Sequence, residues 1–187
     1  MTIEHESTAE PFGELVIDES GNDDTPTCAG MTGESDAELF ARIRSDMATL
    51  RARGVIRSGN LAGDYAESLV ARAFGADLKG SSCKGFDLEA PGVGRVQVKA
   101  RIVGTPILPG QRQLSAFRSF DTFDSLVAVF LSDDALEVVQ ATAWPVAYVE
   151  AHSRPKALDN SRVFIASPGA IADPCAVDLT DALRAAA

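Results

Sequence analysis

The chain has 187 residues, and its 17 basic and 27 acidic side chains give a net charge of −10. This length suits one domain with an additional tail, and 45% hydrophobic residues exclude a chain that is disordered throughout. Two histidines and three widely spaced cysteines argue against a His-rich zinc site, a Ser-His-Asp triad and a disulfide framework. Without a signal-peptide pattern or an apolar run that could span a bilayer, we expect a cytoplasmic protein with reduced thiols and no membrane partner.

The charge is distributed unevenly along the chain. Residues 1–41 carry a net −11, residues 42–118 a net +7 and residues 119–187 a net −6. A basic segment is what contacts with a phosphate backbone require. The negative total therefore does not exclude a nucleic-acid partner, and the basic middle of the chain favours one.

Composition also predicts how the chain is divided. Residues 1–34 are rich in Glu, Asp, Thr, Ser and Gly, and they predict an acidic disordered tail because they offer little apolar surface to bury. We interpret this tail as a solvating appendage; the alternative is an arm that contacts the basic region of its own chain or a partner protein. Residues 35–187 are predicted to form a single domain, with a basic N-terminal helix at 36–54, a core at 59–151 and a C-terminal extension at 152–187.

Two helices are predicted before the first strand. Ser35 or Asp36 can cap the first helix, in which apolar residues recur three and four positions apart. The second helix is predicted from Asn60 to Phe74. At about 100° per residue, Glu67 lies at the edge of the apolar face of that helix, at the boundary of the core. The apolar stripe of the first helix consists of Phe40, Ile43, Met47 and Leu50.

Strands are predicted at 85–90 and 95–101, on either side of a Pro-Gly turn, and we expect them to form an antiparallel hairpin. Alternation in the second strand places Gln97 and Lys99 on the face opposite to Val96 and Val98. The segment 114–123 fits either a short strand or a short helix. Further along, the patterns predict strands at 126–131, 136–141 and 163–166, and helices from Pro145 to 151 and from 179 to 186.

One acid, one amide and one ammonium group are expected to converge on this hairpin. Asp87 and Gln97 are ten residues apart across the turn, and Lys99 points the same way as Gln97. Glu67 adds a second carboxylate from the packed helix. Mg²⁺ prefers hard oxygen ligands, which Asp87, Glu67, the Gln97 amide and the backbone carbonyl of Val98 can supply. A lysine beside such a site can orient an attacking water and stabilise transition-state charge, as metal-assisted phosphodiester hydrolysis requires.

These residues resemble the PD-(D/E)xK, or restriction-endonuclease-like, nuclease superfamily. The resemblance covers residues 60–150 and is closest to the (Q/E)xK branch, which includes Mrr-type enzymes. It implies an α/β fold with an α-β-β-β-α-β core, in which a mixed central sheet is flanked by helices. It also implies that Asp87 is a metal ligand, Gln97 a ligand or water-positioning group, Lys99 the catalytic lysine and Glu67 the helix carboxylate. The chain departs from the family pattern at Phe86, where a proline is expected.

The resulting expectation is an endonuclease that hydrolyses DNA phosphodiester bonds with Mg²⁺ (or Mn²⁺), in restriction, defence or repair. Lys84, Arg101 and Ser82 are the residues predicted to contact the substrate, because they flank the predicted site. Cleavage of both strands of a duplex would favour a homodimer. The alternative is a non-catalytic module that keeps the nuclease fold and binds DNA or a partner protein, since the two strands carry only one strong carboxylate of the motif.

Overall fold

The computed structural model describes residues 33–79, 85–157 and 159–187. The chain divides into two units at the boundary between Leu39 and Phe40. The predicted acidic tail lies almost wholly outside the described residues, so it stays a prediction. Within the described ranges, the elements in chain order are α1 (Asp36–Ala52), α2 (Leu61–Phe74), β1 (Leu88–Ala90), β2 (Gly94–Val103), a 3₁₀ helix (Pro109–Arg112), β3 (Ser125–Ser132), β4 (Val138–Pro145), α3 (Val146–His152), β5 (Arg154–Lys156), β6 (Ser161–Val163), α4 (Pro168–Ile171), β7 (Val177–Asp178) and α5 (Thr180–Ala185).

Helix α1 forms where the sequence predicts a helix, and Ser35 caps it. The Glu38 carboxylate accepts the backbone N–H of Ser35 at 2.7 Å, and the Ser35 hydroxyl accepts the backbone N–H of Glu38 at 3.4 Å. The predicted apolar stripe is not buried, however. No residue of α1 is buried, and Phe40 and Ile43 are 66% and 51% exposed. The three- and four-residue spacing thus predicted the helix correctly, although its apolar side chains remain largely in contact with solvent.

Helix α2 matches the prediction closely at both ends. The Asn60 side chain accepts the backbone N–H of Gly63 at 3.2 Å and caps the first turn. Gly75 ends the helix in the left-handed conformation, with φ of 59°, which glycine adopts without steric cost. Ala66, Leu69 and Val70 are fully buried, as expected, and form the face of α2 that packs on the sheet.

The predicted hairpin is also present. Strands β1 and β2 pair in antiparallel register, with Leu88 opposite Val96 and Ala90 opposite Gly94. Gly92 in the turn and Gly94 at the start of β2 have positive φ, of 75° and 86°, a conformation that explains the glycines at these two positions. Asp87 immediately precedes β1, and its backbone N–H donates to the Val96 carbonyl at 2.9 Å. The register therefore places Asp87 beside Gln97, the next residue of β2.

The strands form one mixed five-stranded sheet in the order β1-β2-β3-β4-β7. Strand β3 runs parallel to β2, and the other neighbouring pairs are antiparallel. Every residue of β3 except Ser125 is buried, which fits the central position of this strand and its continuous apolar sequence. The α/β class with a mixed central sheet and flanking helices is confirmed.

Alternating residues of the central strands feed two apolar layers, one on each face of the sheet. Val127 and Val129 pack with α2 and α5 on one face, while Leu126 and Phe130 pack with α3, α4 and Phe117 on the other. Trp144 anchors the second layer, because its buried indole N–H donates to the Ala170 carbonyl at 2.8 Å. The hairpin thus lies at an edge of the sheet between two packed layers.

Three predicted elements differ in the structure. Residues 114–123, predicted as a short strand or a short helix, form neither; they lie in the connection 104–124 between β2 and the parallel strand β3, whose only helical segment is the 3₁₀ helix. Pro106, Pro109 and Gly110 in this connection disfavour a regular helix. The helices predicted from Pro145 to 151 and from 179 to 186 are confirmed by α3 and α5. The strand predicted at 136–141 begins later, at Val138, because Leu136 adopts a positive φ of 55° in the preceding turn. The late strand falls at Ser161–Val163, where it pairs with β5 and forms an isolated antiparallel bridge to Phe117 through Arg162. Among the described residues, no helix is long and apolar enough to cross a membrane.

Candidate functional site

The structure places Asp87 and Gln97 in direct contact. The Gln97 amide nitrogen donates to Asp87 Oδ2 at 2.5 Å, and the backbone N–H of Val98 donates to the same oxygen at 2.7 Å. The Gln97 amide also lies 3.3 Å from the Val98 carbonyl oxygen. The Gln97 amide nitrogen therefore contacts two oxygens at the open end of the hairpin, one from the Asp87 carboxylate and one from the β2 backbone.

The environment of Asp87 works against its charge. Burial raises the pKa of Asp87, and the N–H of Val98 and the Lys99 ammonium group oppose that shift without cancelling it. A carboxylate in this position is stabilised by any additional positive charge. Asp87 is thus a partly buried acid whose ionised form depends on neighbouring cations and N–H donors.

Lys99 lies on the same side of β2 as Gln97 and faces a cavity of about 460 Å³. Burial lowers the pKa of Lys99, while Asp87 and Glu67 oppose the shift. The Lys99 ammonium nitrogen is 5.3 Å from the centre of the Phe117 ring, within the range of a cation–π contact. Arg118, which is exposed, lines the same cavity from the β2–β3 connection. A larger cavity of about 610 Å³, lined by Tyr65 among others, contains none of the predicted site residues.

Glu67 extends from α2 towards this site, where it is paired with an arginine. Its carboxylate forms an ion pair with Arg57, whose side chain is 23% exposed, and Glu67 itself is 17% exposed. Burial and then the Asp87 charge raise the pKa of Glu67 to about 7, and Arg57 offsets only part of that shift. Glu67 also interacts electrostatically with Lys99. The helix carboxylate, the strand carboxylate and the lysine are therefore electrostatically coupled, as the sequence predicted.

Arg57 and Asp64 are two residues that sequence reasoning missed. Asp64 is 5% exposed, and its carboxylate accepts the backbone N–H groups of Arg57 and Ser58. This fixes the segment before α2 and directs the Arg57 guanidinium to Glu67 and to the carbonyl of Lys79. The spacing of Asp64 and Glu67, three residues apart on one helix, was a usable signal for a shared acidic face. No periodic pattern marks Arg57, which lies between the two helices.

The remaining predicted residues have different outcomes. The backbone N–H of Val98 contacts Asp87, and its carbonyl oxygen lies 3.3 Å from the Gln97 amide nitrogen. Arg101 is exposed on β2, two residues beyond Lys99. Lys84 and Ser82 lie outside the described residues, so their predicted contacts with substrate stay predictions. Asp87, Gln97, Val98, Lys99 and Glu67 are the predicted site residues that the structure brings together.

The donor set is compatible with a hard divalent cation. Within residues 33–79, 85–157 and 159–187, no group of three or more His, Cys, Asp or Glu side chains is placed to hold a metal. The predicted set has only two carboxylates, and its other members are an amide and a backbone carbonyl. Mg²⁺ keeps several waters and takes one or two carboxylates in such sites. Asp87 supplies one carboxylate, whose Oδ2 accepts the Gln97 amide and the Val98 N–H in this structure, and the Val98 carbonyl supplies a second oxygen of the right chemical type.

Comparison with known proteins adds no family assignment: no family model matches the chain, and no curated protein matches it either.

Proposed function

We propose that the protein is a Mg²⁺- or Mn²⁺-dependent endonuclease that hydrolyses DNA phosphodiester bonds. The observation that carries the proposal is the contact of Gln97 and the Val98 backbone with Asp87 at the edge of the sheet. The lysine beside them is partly buried and faces a cavity. This is the combination of residues expected of the (Q/E)xK branch of the restriction-endonuclease-like superfamily.

Asp87 and the Val98 carbonyl would hold the metal ion, with Glu67 completing the acidic side of the site. When bound, such an ion activates water and neutralises charge on phosphoryl oxygens. Lys99 lies at the cavity wall, where its ammonium group can bind a phosphate oxygen and stabilise charge that develops during hydrolysis. Rotation of the Gln97 amide by half a turn would exchange its donor for an acceptor, so the same side chain can present oxygen to a cation or to water.

The fold gives the proposal further support at a finer level. Helix α2 followed by the β1–β2 hairpin supports the proposal, because the superfamily core begins with a helix and consecutive strands. Leu78 forms an isolated antiparallel bridge with Leu88, and we assign it to the first strand of that core. Strand β3, parallel to β2, then corresponds to the strand that follows the motif.

A cleavage assay with matched variants tests this function. Purified protein is incubated with plasmid and linear DNA plus Mg²⁺ or Mn²⁺, beside Asp87→Ala and Lys99→Ala. We expect each variant to lose at least about a hundredfold in rate, as removal of a charge-stabilising group usually does. Lys156→Ala is the control, because Lys156 is an exposed cation on β5 that pairs with Asp159. Cleavage that continues undiminished in both site variants contradicts the assignment.

A second function, a non-catalytic DNA-binding or partner-binding module with the same fold, has one observation in its favour. Both carboxylates are already held by nitrogen donors of the chain, Glu67 by Arg57 and Asp87 by Gln97. A module of this kind would bind DNA equally well with EDTA and with Mg²⁺, and would cut no substrate. Metal-dependent cleavage that Asp87→Ala abolishes rejects the module.

A further inference from the structure

The guanidinium of Arg57 contacts Glu67, the second carboxylate of the proposed site. One of its terminal nitrogens contacts Glu67, and the other donates to the Lys79 carbonyl. Arg57 also interacts electrostatically with Asp87 and opposes the rise of its pKa. The site thus contains a fixed positive charge beside two acidic groups that would otherwise attract a cation from solution.

This ion pair differs from a flexible surface pair in how firmly it is held. The Asp64 carboxylate accepts the Arg57 backbone N–H at 2.8 Å, so the backbone as well as the side chain is fixed. Nε of Arg57 is buried and has no hydrogen-bond partner among the described residues. A buried, unsatisfied donor costs free energy, so the chain keeps Arg57 in place despite a local penalty.

We propose that Arg57 is a resident cation that takes the place of a second divalent ion, so that the site binds one ion at Asp87 and the Val98 carbonyl. The inference rests on the proposed function and specifies its metal stoichiometry. Two-metal nucleases use a second ion to neutralise a second set of oxygens. Here Arg57 neutralises Glu67 instead, which leaves one carboxylate, Asp87, to an exchangeable cation.

The charge of Arg57 should also affect how tightly the site binds its divalent ion. Arg57 lowers the negative potential at Asp87, so its removal should make the site bind a divalent ion more tightly. One unit charge at several ångströms, in a medium between protein and water, changes binding by about tenfold. Glu67 transmits most of this effect, because the loss of Arg57 releases its carboxylate. Arg57 is therefore a positioning residue that sets how many ions bind and how tightly.

Mn²⁺ titration of the full chain tests both points. Free Mn²⁺ is measured by electron paramagnetic resonance, and calorimetry gives the number of sites. We expect one ion for the native chain and about tenfold tighter binding for Arg57→Ala. Arg57→Lys, which keeps the charge, should bind within about threefold of the native protein. Arg95→Ala is the matched control, since it removes a guanidinium from an exposed carboxylate pair outside the site.

The outcomes separate this inference from the proposed function. Two Mn²⁺ ions on the native chain, or unchanged affinity in a folded Arg57→Ala variant, overturn the role of Arg57 and leave the nuclease proposal standing. Binding of no ion, or of one that Asp87→Ala does not weaken, rejects the metal site itself and the inference with it. In a Glu67→Gln background, Arg57→Ala should have less than a third of its effect; a full effect there contradicts transmission through Glu67. If the single Arg57→Ala variant does not fold, Arg57→Gln is titrated in its place; it also removes the charge and should bind Mn²⁺ about tenfold more tightly, and unchanged affinity there overturns the role of Arg57.

Discussion

Two arginine–carboxylate pairs lie near strand β2, and the pKa of the acid is shifted in opposite directions in the two pairs. Arg57 pairs with Glu67 in a partly buried position beside the proposed site. Arg95 pairs with Asp124 at 2.9 Å where both side chains are exposed, at 39% and 47%. The pKa of Glu67 rises to about 7, whereas that of Asp124 falls to about 2. The same two chemical groups thus meet in both places with opposite results.

The difference comes from solvent and from neighbouring charge. Asp124 accepts the side-chain and backbone N–H groups of Arg95, and little burial opposes them. Glu67 loses water and faces the Asp87 charge, so one guanidinium does not restore its usual pKa. The exposed pair joins the start of β2 to the segment before β3, and so supports the fold. The buried pair holds opposing charge close to Lys99, which is an arrangement typical of functional sites.

Removal of one arginine from each pair should give the largest contrast in stability. We expect Arg57→Ala to destabilise the protein by about 3 kcal/mol at pH 8, because it leaves the partly buried Glu67 carboxylate without its counter-ion. Arg95→Ala should have a much smaller effect, since water screens an exposed pair. Urea unfolding followed by circular dichroism measures both. Equal losses for the two variants would show that burial does not separate these pairs.

The pH dependence of stability should have opposite signs at the two acids. For Glu67 the pKa is higher in the folded than in the unfolded state, so its contribution to stability is complete below about pH 4.5 and declines as pH rises to about 7. Glu67→Gln removes the ionisation, and we expect its stability to decline less over that range. The free energy of unfolding of both proteins, measured from pH 4.5 to 8, checks this. A decline of the same size in native and variant protein would contradict the raised pKa.

Asp124 provides the matching test in acid. Its pKa is lower in the folded state, so its contribution is present above about pH 3.8 and is lost as pH falls to about 2. Asp124→Asn should therefore flatten the stability profile between these values and leave the slope from pH 4.5 to 7 unchanged. Thermal unfolding in a series of acidic buffers measures the profile. An altered slope near neutral pH would mean that the two pairs are coupled.

The part of the site that the sequence predicted follows from local rules. Asp87 and Gln97 flank a Pro-Gly turn, and alternation in the second strand then determines which side chains meet. Glu67 follows from the helical period, because a 14-residue helix with a capping Asn60 and a terminal Gly75 has a well-defined buried face. Each of these predictions depends on residues that are close in the chain or on one repeated spacing.

The parts that the sequence did not predict depend on contacts without a period. Arg57 lies in the irregular segment before α2, whereas Asp64 and Glu67 lie on the helix. Asp64 holds the Arg57 backbone, and the Arg57 side chain contacts Glu67, so the pair depends on contacts between residues that share no periodic spacing. Phe117 contacts Lys99 from the connection between β2 and β3, whose course follows from packing of the second layer. The apolar stripe of α1 gives a second example. Its spacing correctly indicated a helix, but spacing alone does not show whether the apolar face is buried, and in α1 no residue is buried.

The smallest effect is expected at Arg118, whose replacement should change DNA binding and leave stability unchanged. Arg118 is exposed and lines the Lys99 cavity, so its charge is available to a phosphate and contributes little to folding. Arg118→Gln should leave the urea midpoint unchanged, weaken DNA binding about threefold and reduce the slope of log K against log salt by about 0.9. Fluorescence anisotropy in EDTA at several salt concentrations measures this slope without cleavage. Lys156→Gln, which removes an exposed charge on β5, is the control and should keep the native slope. A loss that is the same at all salt concentrations would mean that Arg118 acts through the shape of the cavity, because a phosphate contact must release counter-ions when it forms.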